Sequence, residues 1–137
     1  AWRRLSRSLR DRQNIQRVGI VGGGLFPRTA LILAAELPAA RFTIIDASQD
    51  SLQQSLPQLR SAGIEHRVTA VQAWFDPAEH RAFDLLVFPL SYHGNRRRLR
   101  THLPAPAVLL HEWIWNLSPG SVVVSVLLLK RMSLHRR

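Results

Sequence analysis

The feature that most constrains this chain is an alternation of short apolar runs with helix-forming stretches. RVGIV (17–21), RFTIID (41–46) and RVTAVQA (67–73) recur roughly every 25 residues, and AFDLLVFPL (82–90), APAVLLHEW (105–113) and SVVVSVLLL (121–129) follow. Between the first three lie TALILAAEL (29–37), stopped by Pro38, and SQDSLQQSLPQLRSAG (48–63), which opens on a serine, is interrupted by Pro57 and closes on Gly63. Serine and glycine are the residue types that satisfy orphan backbone groups at the two ends of a helix. NRRRLRTHL (95–103) reads as a further short helix. The apolar runs do not alternate with polar residues, so both faces of these strands must be buried. The expected fold is α/β: a doubly wound, mostly parallel sheet of about six strands with helices on both faces.

At 137 residues and 46% hydrophobic content the chain supports one core rather than two. Residues 17–129 carry the alternation and form the expected domain. Ahead of it, residues 1–16 place Trp2, Leu5 and Leu9 at helical spacing with arginines mostly on the other faces, a basic amphipathic helix. Behind it, residues 130–137 (KRMSLHRR) read as a basic C-terminal tail. AWRRLSRSLR, rich in Arg and Ser and free of acids, superficially resembles an organellar transit peptide, and a chain beginning at Ala1 reads as processed or cut from a longer one. The absence of cysteine excludes disulfides, thiolate metal sites and a cysteine nucleophile. The longest apolar run falls well short of the roughly 20 residues that span a bilayer, so no transmembrane segment is expected.

Gly22, Gly23 and Gly24 follow the first strand directly, where a doubly wound sheet binds its ligands. Glycines there let the backbone turn sharply and approach a ligand without a Cβ in the way. Asp46 closes the second strand, 22 residues after Gly24. An acid at that position accepts hydrogen bonds from the hydroxyls of a ribose. A tight turn and a helix N-cap explain the same residues without any ligand. The dinucleotide pattern G-x-G-x-x-G would need a glycine at position 27, where the chain has Pro27, which weakens a reading as an NAD or FAD site.

RVGIVGGG, FTIIDAS, VTAVQAWFDP, FDLLVFPL and APAVLLHEW together resemble the class I S-adenosylmethionine-dependent methyltransferases over about Arg17 to Leu129. GGGLFPRTALIL followed by FDLLVFPLSYHG is also similar to nicotianamine synthase, a relative that uses the same cofactor for aminocarboxypropyl transfer. The resemblance implies a Rossmann-like domain that binds S-adenosylmethionine through Gly22, Gly23, Gly24 and the ribose-binding Asp46. The acid usual two residues before the first glycine is Ile20 here, so carboxylate binding is expected to pass to Arg28 and Thr29. Trp74, Phe75 and Asp76 fall where the family forms its adenine pocket. An indole face offers stacking, and a carboxylate an acceptor for the adenine amino group; edge-of-core packing explains the two aromatics equally.

Ser91, Tyr92 and His93 fall near the position of the departing methyl group. PLSY is not the Asn/Asp-Pro-Pro-Tyr box of amino methyltransferases, so a base amine is not the expected acceptor. The implied activity is methyl transfer to a small-molecule acceptor by a cytoplasmic enzyme. The rivals are a non-catalytic Rossmann-like module that binds a nucleotide or a partner, and a fragment of an NAD-dependent oxidoreductase.

Tyr92 and His111 are the candidate catalytic groups. Imidazole titrates near about 6.5, suited to a general base, although a histidine beside tryptophans is more often structural. His111 and Glu112 open an H-E-x-x-H pattern, but the fifth position is Trp115, so no metal site is expected. The net charge of +10 comes from 18 arginines beside the single lysine, Lys130, and is densest at Arg96, Arg97, Arg98 and Arg100. Such a surface draws in polyanions weakly and without specificity, while a solvated helix face explains the run as simply.

Overall fold

Continuous apolar segments become strands covered on both sides, and the resulting sheet fixes where a ligand can bind. The structure, a computed structural model, describes residues 15–79, 82–113, 121–125 and 130–136. Its elements are β1 (Arg17–Val21), α1 (Arg28–Glu36), β2 (Arg41–Asp46), α2 (Gln49–Ser61), a 3-10 turn (Glu65–Arg67), β3 (Val68–Gln72), β4 (Leu85–Phe88), α3 (Arg96–Thr101), β5 (Ala107–Trp113), β6 (Ser121–Ser125) and β7 (Lys130–Arg136). The strands form one sheet in the order β3-β2-β1-β4-β5-β7-β6. The first five are parallel, with Val18 opposite both Phe42 and Leu85, whereas β7 runs antiparallel to β5 and to β6. This is the expected doubly wound, mostly parallel α/β sheet, with the strand order reversing between β1 and β4.

Alternate residues of each strand feed two cores. Val18, Ile20, Phe42, Ile44, Leu85, Val87 and Leu109 pack under α1 and α2. Val21, Leu86, Phe88, Val108 and Leu110 form a smaller cluster with Leu99 of α3 and the segment around Ala105. Asp84 locks the entry to the sheet: its carboxylate accepts from the Gln16 and Arg17 amides at 3.0 and 2.8 Å and from the Arg17 guanidinium at 3.0 Å. Burial alone would raise its pKa, but these bonds outweigh burial and hold it below the usual carboxylate value.

Two readings of the sequence are corrected, and two fall largely outside the described residues. The segment read as a C-terminal tail is β7, a strand inside the sheet, which brings the strands to seven. Pro57 does not interrupt α2, which runs unbroken from Gln49 to Ser61. The proline is exposed, and so is Gln53, whose carbonyl loses its donor to the ring but is open to water. The helix ends in a Schellman motif, with Gly63 at φ +70°, its amide on the Arg60 carbonyl and the Ile64 amide on the Leu59 carbonyl. The N-terminal helix reading lies outside the described residues up to position 14, and Ile15 and Gln16 are not helical. Residues 126–129 of the expected sixth strand also lie outside the described residues. No helix among the described residues is long and apolar enough to cross a membrane.

Candidate functional site

A cleft of about 900 Å³ opens at the carboxyl ends of β1, β2 and β4, where the strand order reverses. The loop after β1 forms one wall. Gly22 and Gly23 adopt φ of +79° and +80°, a left-handed conformation that side-chain-bearing residues resist, and the Gly22 amide is pinned to the Ile45 carbonyl at 2.6 Å. Asp46 forms the next wall. One carboxylate oxygen accepts from the Gly24 amide and the other from the Ser48 amide, both at 2.9 Å. Asp46 therefore fastens the glycine loop to the end of β2, and each oxygen keeps a second acceptor position.

The third wall follows β3. Trp74 is 85% exposed and lines the cleft with its indole uncovered, while Phe75 lines it from below, edge-on to Phe88 with ring centres 5.1 Å apart. The fourth wall is the segment after β4. Tyr92 stacks edge-on against Phe88 at 4.8 Å, and a Cβ on Gly94 would run into the Tyr92 ring and hydroxyl. Burial pushes the Tyr92 phenol upward, against the pull of Arg96, so at neutral pH it is an uncharged donor rather than a base. His111 reaches the same cleft from β5.

This fourth wall is held by a residue that sequence reasoning placed in a solvated run. The Arg96 guanidinium donates to the carbonyls of Pro89 (2.6 Å), Leu90 (3.2 Å) and Tyr92 (3.0 Å) on one side and of His111 (2.9 Å) on the other. It ties the β4 loop to β5 and lies 5.8 Å from the Tyr92 ring centre. Arg100 also turns inward, to the carboxylate of Glu112, whose side chain is fully buried. Only Arg97 and Arg98 of the run are exposed. A fan of planar donors inside a turn rich in free carbonyls is the work of an arginine, and the loop PLSYHGN just before it was the available signal.

Of the residues predicted to bind a cofactor, Gly22, Gly23, Asp46, Trp74 and Phe75 come together on the cleft, and so do Tyr92 and His111. Four do not. Gly24 is buried behind the loop, where a Cβ would meet Asp46 Oδ2 at 3.0 Å and the Leu52 amide at 3.2 Å. Arg28 and Thr29 lie in the first turn of α1 and do not line the cleft. Asp76 caps its own turn through the Ala78 amide at 2.7 Å and borders a second groove. Leu25 and Phe26 stand exposed on the rim instead, and Ser48 and Ser51 join the lining beside Asp46. Among the described residues no group of three or more His, Asp or Glu could hold a metal ion.

No protein-family model matches the chain, and no curated protein matches it by sequence. Solved structures do. An RNA methyltransferase from Salinibacter ruber in complex with S-adenosyl-L-homocysteine superposes with a TM-score of 0.69 at 16% identity, covering 97% of this chain and 88% of that one. A mutant of the nicotianamine synthase MtNAS in complex with S-adenosylmethionine gives 0.66 at 16%, covering 97% and 60%. The apo form of the S-adenosylmethionine-dependent methyltransferase SibL gives 0.55 at 25%, covering 82% and 36%. The chain thus spans well under two thirds of the length of MtNAS and of SibL. Its fold is the Rossmann-like fold of class I S-adenosylmethionine-dependent methyltransferases, the fold that the glycine loop and Asp46 suggested.

Proposed function

We propose that the chain binds S-adenosylmethionine in the cleft between Gly22, Asp46 and Trp74 and transfers its methyl group to a small-molecule acceptor. The observation that carries this reading is Asp46. Its carboxylate sits at the carboxyl end of β2, facing the cleft, with one acceptor position still open on each oxygen after the Gly24 and Ser48 amides are served. Those are the two acceptors that the hydroxyls of a ribose diol, as donors, require. The exposed Trp74 indole next to it offers a face for a purine. The left-handed Gly22 and Gly23 keep side chains out of the path of the ligand. Bound S-adenosylmethionine supplies a methyl on a sulfonium: the acceptor's lone pair forms the new bond to carbon as the carbon–sulfur pair leaves on sulfur.

Such a transfer asks the protein chiefly for position. Arg96 fixes the β4 loop, which carries Tyr92 and His93 into the cleft lining. Tyr92, held neutral, donates a hydrogen bond to the acceptor, and His111 takes the proton the acceptor releases. A small molecule is favoured because the cleft is of the size that suits compact ligands. Mass spectrometry of small molecules released on denaturing purified protein tests the reading. Retained S-adenosylmethionine or S-adenosylhomocysteine supports it, and retained NAD moves the chain to the oxidoreductases.

A further inference from the structure

A second groove of about 1190 Å³ lies on the α3 side of the sheet, lined by the α3 surface, the segment that leads into β5, residues 76–78 and the end of β7. Its lining includes three arginines, Arg98, Arg100 and Arg136, and one carboxylate, Asp76. Tyr92 lines both this groove and the Asp46 cleft, so one side chain, the one proposed to serve the acceptor, borders both cavities.

The groove is prepared from beneath. The Glu112 side chain is 0% exposed, and an apolar residue would fill its place in the sheet with less desolvation cost. Its two oxygens are taken by Arg100 and by the Ser133 hydroxyl at 2.8 Å, with His135 Nε2 at 3.1 Å from that same hydroxyl. The consequence of this chain is that the Arg100 guanidinium is fixed in the groove wall with 28% of its side chain exposed. Arg98, exposed on the next turn face, adds a second planar fork. Arginine forks held in place beside each other recognise oxyanions bidentately.

We propose that this groove docks an anionic group of the acceptor, a phosphate or a carboxylate, and delivers the rest of the molecule past Tyr92 to the cofactor cleft. This inference rests on the methyl-transfer reading, which supplies the acceptor.

The test is NMR titration of the full chain at constant ionic strength with inorganic pyrophosphate and, separately, malonate, alongside calorimetry with S-adenosylhomocysteine on the same samples. Saturable shifts confined to residues 76–78, 95–106 and 136 are expected, and the tighter of the two probes identifies phosphate or carboxylate as the group. Arg98→Ala should weaken the anion at least about tenfold and leave S-adenosylhomocysteine affinity unchanged. Arg41→Ala, an equal charge loss on an exposed strand end elsewhere, should leave anion affinity within about twofold. Unsaturable shifts spread over the surface arginines, or equal weakening by the two substitutions, would overturn the groove while S-adenosylhomocysteine binding persists. Anion binding without any S-adenosylhomocysteine binding would remove the acceptor role along with the methyl-transfer reading. An RNA oligonucleotide held in the groove at physiological salt more tightly than either small anion would overturn the small-molecule acceptor.

Discussion

The two faces of the sheet are built by different chemistry. The α1 and α2 face is closed by apolar packing, with Leu33, Phe42, Ile44 and Leu59 each 1% exposed or less. A polar staple, Arg67, lies under the end of α1, giving its donors to the carbonyls of Ala34, Leu37 and Ala40 and its cation to the Phe42 ring at 5.4 Å. The α3 face has a six-residue helix and irregular segments over a smaller cluster, and much of its order comes from Arg96 and the Arg100–Glu112–Ser133 chain. The difference teaches what each chemistry builds: the packed face supplies the platform, and the arginine-stitched face shapes one wall of the cleft and the groove.

The largest effect should come from the packed face. Phe42→Ala removes a fully buried ring and should cost about 3–5 kcal/mol in urea unfolding, with little change in ligand affinity of the folded fraction. Arg96→Ala comes next, at about 2–4 kcal/mol, because four carbonyls lose a charged donor. Unlike Phe42→Ala it should also weaken S-adenosylhomocysteine binding, and Arg96→Lys should restore stability better than binding. Equal effects of both substitutions on affinity would dissolve the contrast between the faces.

Smaller again is Gly23→Ala, about 1–2 kcal/mol, since a Cβ finds no obstacle within 4 Å and only the φ of +80° resists it. The mildest test is pH. Burial first, and Arg100 second, lower the His135 pKa below 6.5. The folded state therefore holds its proton less well than the unfolded chain. Stability present above pH 6.5 should decline as pH falls toward the folded pKa and then level off. His135→Gln should flatten that part of a stability-versus-pH curve; an unchanged slope would detach His135 from the network beneath the groove.

The sequence made the packed face legible and the stitched face obscure. Uninterrupted runs such as RVGIV and DLLVF mark strands buried on both sides whatever surrounds them, and Gly22, Gly23 and Asp46 sit at strand ends where chain position alone assigns them to the ligand crevice. β7 was hidden because Met132 and Leu134 alternate with basic and polar residues, a pattern that reads as a tail until β5 is seen beside it. The roles of Arg96 and Arg100 were hidden for a related reason. A charge run records how many cations there are, while their direction depends on carbonyls and a carboxylate brought in from other strands. Arg28 and Thr29 rested on compensation for Ile20 rather than on a position at a strand end, and they lie in the first turn of α1 without lining the cleft.

The account turns on Asp46 as both the anchor of the glycine loop and the acceptor for a ribose. Isothermal calorimetry with S-adenosylhomocysteine on the wild-type chain and on Asp46→Ala, each shown folded by circular dichroism, measures this directly. Saturable binding at one site is expected for the wild type, with a loss of about 1–3 kcal/mol of binding free energy in the variant. No binding to folded wild-type protein at millimolar ligand, or equal affinity in the two, would contradict it.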